Sequence, residues 1–136
     1  MILKISLCLH GEFLNPEEVT KVLNLSPVRS HRKADIYVTS SGSKIIRKAG
    51  YWKFTVEHCD FQIEKTIDKL LNLLEMQNFD LVKINHVEQA YIDIFFAKKI
   101  FENEIVFRMD LNREIIQRIE KFGLSIQFDL FGSIDD

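Results

Sequence analysis

The run Leu14-Asn15-Pro16-Glu17-Glu18-Val19 spells out the start of a helix. Asn15 is a residue that caps an N-terminus, Pro16 suits the first helical position, and Glu18 stands where a capping-box acid reaches back. Leu14 and Val19 take the two positions of a hydrophobic staple. Val19, Val22, Leu23 and Leu25 carry an apolar stripe forward to Ser26-Pro27, where the residue before proline avoids the α region; a helix is expected over 16–25. The same grammar returns 97 positions on, at Leu111-Asn112-Arg113-Glu114-Ile115-Ile116, with Ile116, Ile119 and Phe122 in the places of Val19, Val22 and Leu25. Gly123 is placed to close this second helix in the left-handed conformation, with Leu124 as its hydrophobic partner. An apolar strand precedes each helix, Ile2 to Leu9 in one case and Ile105 to Met109 in the other. This pattern predicts a duplicated β-α-β unit, over about 2–38 and 104–131, inside a single domain spanning residues 1–136.

Between the copies, Ile63, Ile67, Leu70, Leu71 and Leu74 recur at helical spacing behind Asp60, which predicts the longest helix over 61–77. Period-two alternation marks strands at Trp52, Phe54 and Val56, at Ile92, Ile94 and Phe96, and at Leu124, Ile126, Phe128 and Leu130. Weaker strands are expected at Leu81 to Val87 and Ile36 to Val38, and a polar loop at Thr39 to Ser43. The fold class expected is α+β: a mainly antiparallel sheet with three helices, in a ferredoxin-like (split β-α-β) duplicated sandwich. At 136 residues with 46% hydrophobic content and eleven phenylalanines, the chain can fill one core and lies outside the disordered regime.

Sets of residues that carry chemistry are sparse. The N-terminal ten residues alternate and lack the features of a signal peptide, and no apolar run reaches the roughly 20 residues that span a bilayer. A cytoplasmic protein is expected, with no membrane contact and with Cys8 and Cys59 as reduced thiols. His10, His31, His58 and His86 show no ligand spacing for a metal, and no glycine-rich phosphate loop or nucleophile elbow is present, so neither metal nor cofactor is expected. His58-Cys59-Asp60 invites a nucleophile reading, but neighbours on a chain point different ways and a strand end followed by a cap accounts for it. His10 with Glu12 as an acid-base pair, and Asp129, Asp135 and Asp136 as a cation site, are outweighed by turn polarity and solvated acids.

Charge is the informative signal. From Val28 to Lys53 seven cations face the single acid Asp35, a net of plus six, which leaves minus eight on the remainder of a chain whose total is minus two. Such a dipolar molecule steers an anionic group or acidic partner surface to one side. The residues expected to form that site are Arg29, His31, Arg32, Lys33, Lys44, Arg47, Lys48 and Trp52, with the arginines suited to bidentate contacts and Trp52 or Tyr51 to stacking, although a lone tryptophan after Gly50 at the start of a strand is usually a core or rim aromatic and structure is its favoured role. The alternative is an edge strand kept basic against aggregation. Nucleic acid is not the expected partner, because the acidic remainder repels a phosphate backbone.

Pro16-Glu17-Glu18-Val19, Pro27-Val28-Arg29, Arg32-Lys33-Ala34-Asp35, Gly50-Tyr51-Trp52, Phe122-Gly123-Leu124-Ser125 and Phe128-Asp129-Leu130-Phe131 together resemble a bacterial family known as domain of unknown function four-two-seven-nine. Ala34 stands where that family's pattern has glycine before the aspartate. The resemblance implies a small bacterial cytoplasmic protein of unassigned biochemistry, akin to small α+β proteins that sit beside toxin genes as immunity partners. The function expected is a non-enzymatic protein-binding module, most concretely an immunity-type protein that occludes a toxin domain. The alternative is a small-ligand or anion-binding domain that uses the basic segment over 29–48.

Overall fold

The computed structural model describes residues 2–58, 62–97 and 109–131. Its elements run β1 (Ile2–Gly11), α1 (Pro16–Leu23), β2 (Arg29–His31), β3 (Ile36–Val38), β4 (Lys44–Ile46), β5 (Gly50–Val56), α2 (Ile63–Met76), β6 (Gln89–Ala97), α3 (Arg113–Lys121) and β7 (Ser125–Phe131). Five strands form one sheet in the order β2-β5-β1-β6-β7, and β3 pairs with β4 in a separate hairpin. β1 is antiparallel to both β5 and β6, and β2 is antiparallel to β5. β2 therefore runs parallel to β1 with β5 between them, and β6 runs parallel to β5 with β1 between them. α1 makes the first of these split crossovers and α2 the second, so the two interlock. α3 leads into β7, which pairs directly and in parallel with β6. The result is an α+β fold with three helices and a mainly antiparallel mixed sheet.

One face of the sheet makes the core. Leu3, Ile5, Leu7 and Leu9 of β1 stand beside Trp52 and Val56 of β5 and Ile92, Ile94 and Phe96 of β6, and the helices add Val19, Leu23, Ile67, Leu70, Leu71, Leu74, Ile115 and Ile119. Burying this much aliphatic and aromatic surface, at roughly 25 cal/mol per Å2, is what sets the helices onto the sheet.

The two asparagine caps and the staple form as expected, and the capping box does not. Asn15 Oδ1 accepts from the Glu17 and Glu18 amides at 3.1 and 3.4 Å, and Asn112 Oδ1 accepts from Ile115 at 2.9 Å. Leu14 and Val19 are both buried, as a staple requires. The Glu18 carboxylate accepts from Asn85 Nδ2 at 3.3 Å, away from the capping box assigned to it. Gly123 takes φ 71°, and the Leu124 amide donates to the Ile119 carbonyl at 3.2 Å, which closes α3 as expected. α1 stops short of residue 25 because Asn24 enters the left-handed region at φ 52°.

The shared start does not fix a shared face. α1 buries Val19 and Leu23, whereas α3 buries Ile115 and Ile119 and leaves Ile116, the counterpart of Val19, 47% exposed. One residue is about 100° around a helix, so the two stripes are rotated by that amount. The strand expected over 105–109 lies, apart from Met109, outside the described residues, as does Asp60.

The strand expected at Leu81 to Val87 is corrected. Leu81–Lys83 is a turn of 3-10 helix, and the Asp80 side chain accepts from the Val82 amide at 3.1 Å. Buried Ile84 and half-buried Leu81 and Val87 are spaced by three, a helical rather than a strand period. Ala34 takes φ 74° in a tight turn, with the Asp35 amide donating to the Arg32 carbonyl at 3.2 Å. An L-residue pays about 1–2 kcal/mol there, against which glycine's extra chain entropy is about 0.5–1 kcal/mol. Ala34→Gly is expected to raise the unfolding free energy by about 0.5–1 kcal/mol in urea denaturation; a loss of stability would contradict the strain.

Candidate functional site

The same alternation that aims leucines at the helices aims another set at the opposite face, which no helix covers among the described residues. His10 lies across from Tyr51, and Tyr51 across from His31; Tyr91 sits one diagonal step from His10. The rings form a row over four strands, with centroids 5.5 Å apart from His31 to Tyr51, 4.5 Å from Tyr51 to His10 and 5.5 Å from His10 to Tyr91. His10 Nε2 and the Tyr91 hydroxyl share a hydrogen bond of 2.9 Å, and the Tyr51 hydroxyl donates to Cys8 Sγ at 3.7 Å. Burial raises the Tyr91 hydroxyl to about 12 and pushes the Cys8 thiol above its ordinary value. Burial, with His31 nearby, lowers the pKa of His10; burial and the Arg47 charge lower that of His31. Both imidazoles are therefore neutral at pH 7, since the shifts start from about 6.5.

At the His31 end the β3–β4 hairpin reaches over the row. Ile36 pairs with Ile46, Tyr37 with Ile45 and Val38 with Lys44, and the turn is tied by the Thr39 amide on the Ser43 carbonyl at 2.8 Å and the Gly42 amide on the Thr39 carbonyl at 2.9 Å. All six strand residues of the hairpin are exposed. Between hairpin and sheet lies a cleft of about 430 Å3, lined by His10, Arg29, His31, Ile45, Ile46, Arg47, Lys48, Ala49, Gly50 and Tyr51. His31 Nδ1 is buried without a hydrogen-bond partner.

The expected site residues divide into three groups. Arg29, His31, Arg47 and Lys48 come together around the cleft, and the Arg47 guanidinium also lies 4.9 Å over the Tyr37 ring. Arg32 and Lys33 turn to the start of α1. Arg32 holds the Glu17 carboxylate at 2.6 Å and donates to Asn15 Oδ1 at 3.0 Å, and Lys33 pairs with Glu12 and lies 4.7 Å over the Phe13 ring. Lys44 stays with the exposed hairpin. Trp52 faces the helices, fully buried, with its indole N–H donating to Thr20 Oγ1 at 3.0 Å. It is a core residue, the structural role favoured for it, and with no exposed surface it is corrected as a stacking residue.

His10 and Glu12 are parted, His10 to Tyr91 and Glu12 to Lys33. Cys59, Asp60, Asp135 and Asp136 lie outside the described residues. Asp129 shares a hydrogen bond with Asp93. Among the described residues no group of three or more His, Cys, Asp or Glu side chains could hold a metal ion, and no helix is long and apolar enough to cross a membrane. The sequence reading overlooked the ring row. Its signal was parity, because His10 and Tyr51 alternate with core residues of β1 and β5.

Residues 2–133 match the family model described as Domain of unknown function (DUF4279), and the chain belongs to that family. No curated protein and no solved structure matches it.

Proposed function

We propose that this member of the DUF4279 family is a non-enzymatic protein-binding module whose docking element is the β3–β4 hairpin. The observation that carries the reading is the hairpin's composition: Ile36, Val38 and Ile46 are 65, 56 and 64% exposed on one face, and Tyr37 and Ile45 are exposed on the other. A two-stranded hairpin with apolar side chains on both faces is marginal by itself in water and gains from a cover. Arg29, Lys44, Arg47 and Lys48 rim it, so the complementary surface is apolar at its centre and acidic at its edge. In its most concrete form the partner is a bacterial toxin domain, and the hairpin occludes its active site as an immunity protein would. The buried Cys8, with its raised thiol pKa, and the neutral, Tyr91-bonded His10 favour binding over catalysis.

The test is titration calorimetry against the product of a neighbouring toxin gene, alongside rescue of cells that express it. The paired variant Ile36→Ser/Val38→Ser is expected to weaken binding on the order of a hundredfold, since buried hot-spot side chains contribute about 2 kcal/mol or more. Both side chains are exposed, so the stability of the free domain is expected to move by no more than about 0.5 kcal/mol. Binding that survives the paired substitution would remove the hairpin from the interface; no binding and no rescue would sink the reading.

A further inference from the structure

The two edges of the sheet are unlike. β2 ends it on one side with only three residues, Arg29–His31. β7 ends it on the other with seven, and its outer side pairs with no strand among the described residues. Edge strands that stay single are kept short, carry lysine or proline, or bulge. Ser125–Phe131 has neither lysine nor proline, and its register with β6 is unbroken from Tyr91 with Ser125 to Ala97 with Phe131. That register sets Ile126, Phe128 and Leu130 beside Ile92, Ile94 and Phe96 on the helix-covered face, yet Phe128 is 46% and Leu130 61% exposed. α3 adds a third apolar group. Arg118 ties α3 to α2 through Asp68, Asn72 and Glu75, and Ile116 stands two residues away, about 200° round the helix. Ile116, itself exposed, therefore faces away from α2, towards the side on which the sheet stops.

We propose that the β7 edge docks a second copy of this chain, the two β7 strands running antiparallel about a two-fold axis that passes through Phe128 perpendicular to the sheet. The strand is complementary to itself in that register. All seven residues pair, Ile126 lies opposite Leu130 of the second copy, and the Gln127 side-chain amide lies opposite Asp129 of the second copy, where it can donate. A shift of the axis to Asp129 would set two like charges directly opposite, which is destabilising. Such an axis keeps the helices of both copies on one face, so the apolar residues of β7 meet there with Ile116 of each copy above them. Every copy brings the same edge at the same concentration, which makes a second copy the occupant rather than an unrelated strand. Because β2 is too short to repeat the pairing at the far edge, the assembly closes at two and does not extend into a fibre. A seven-residue strand is about 24 Å long, and the sheet with its helix layer about 20 Å deep, so each copy covers on the order of 500 Å2. About 1,000 Å2 in all is the small end of specific interfaces, which sets the affinity in the micromolar range. The β3–β4 hairpin follows β2 at the opposite edge and stays free, so this pairing is independent of the protein-binding reading.

Sedimentation equilibrium on the isolated chain tests the pairing. The parent is expected to approach twice the mass of a single chain at about 200 µM and to fall to the single-chain mass near about 1 µM, with a dimer Kd on the order of 10 µM. Leu130→Lys puts a cation on the edge and is expected to weaken the dimer at least about tenfold. Ile116→Glu lies off the strand and brings two like charges together near the axis, for a loss of at least about fivefold. Both substitutions fall on exposed side chains, and the melting temperature of each variant at about 1 µM, where the parent is a single chain, is expected within about 3 °C of the parent's. Should one variant fail to fold, the other carries the test alone. A parent that stays a single chain throughout the concentration range overturns the proposal, and so does a dimer that withstands either substitution in a folded variant. None of these outcomes depends on Ile36 or Val38, so the protein-binding reading stands or falls separately.

Discussion

Gly11→Ala is expected to destabilise the fold by about 3 kcal/mol or more, at the upper end of single-substitution effects. A methyl group built on Gly11 would lie 1.7 Å from the His86 carbonyl oxygen and 2.9 Å from its carbon, both backbone atoms. Neither can swing aside as a side-chain tip would. His86 is itself held in the left-handed region at φ 65°, and the next residues are anchored by the Glu88 amide on the His10 carbonyl at 2.8 Å. The crossing segment is therefore fixed from both sides. Gly50, directly across from Gly11, repeats the constraint, since its Cβ would meet the Leu14 carbonyl oxygen at 2.5 Å. Two facing glycines admit two other backbones at the end of the β1–β5 pair, the use of strand glycine that no other residue supplies. Gly42→Ala is the comparison: its φ of 87° disfavours alanine but its Cβ would meet nothing within 4 Å, so a loss of only about 1 kcal/mol is expected. Urea denaturation of the three proteins decides the matter, and a Gly11→Ala loss no larger than that of Gly42→Ala would show that the crossing segment yields. Gly11 and Gly50 adjoin His10 and Tyr51, so the same variant is expected to disturb the ring row.

Those two glycines mark where the sequence stops being legible. The start of each helix was readable because a cap is local, a matter of one side chain and the next three amides. Strand parity was readable for the same reason, and it already separates Trp52, Phe54 and Val56 from Tyr51, Lys53 and Thr55. What parity does not say is which face the helices cover. That depends on the crossovers through α1 and α2, which join residues far apart in sequence. Trp52 was offered for stacking beside its favoured structural role, and its parity with Phe54 and Val56 puts it on the core face. Arg32 and Lys33 counted as free cations until β2 returned beside α1, where Glu17 and Glu12 meet them. The β3–β4 hairpin was only a weak strand and a loop in the sequence, because six residues with apolar side chains on both faces give no alternation to read. The cleft inherits both difficulties, since it lies where a long-range strand pairing meets a hairpin without a periodic signature.

The helix-free face also carries the largest expected pH effect, at Asp93. This side chain is buried, its Oδ1 has no partner, and it is hydrogen-bonded to Asp129. Burial first, then that hydrogen bond and the neighbouring carboxylate charge, raise its pKa to about 7, and Lys53 offsets only part of the shift. The unfolded chain titrates this group near 3.9, so between about pH 4 and pH 7 the native state holds a proton that the unfolded state has released. The associated stability is therefore fully present below about pH 4 and is lost as the pH rises through about 7. A shift of this size has a ceiling of about 4 kcal/mol, and sharing the proton with a second carboxyl brings the expected effect nearer 2 kcal/mol. Asp93→Asn removes the titration and keeps the shape, with the new amide able to donate to Asp129. At pH 8 it is expected to be about 2 kcal/mol more stable than the parent, and at pH 5, about one unit above the unfolded carboxyl's pKa, by a smaller margin that vanishes only below about pH 4. His10 and His31, with lowered pKa values, act in the opposite direction over the acid part of this range, but they are common to both proteins and drop out of the difference. Denaturant titrations at the two pH values give that difference directly. An offset between Asp93→Asn and the parent that is the same at pH 5 and pH 8 would mean that the carboxyl is ionised throughout, and that Lys53 rather than a shared proton governs this face.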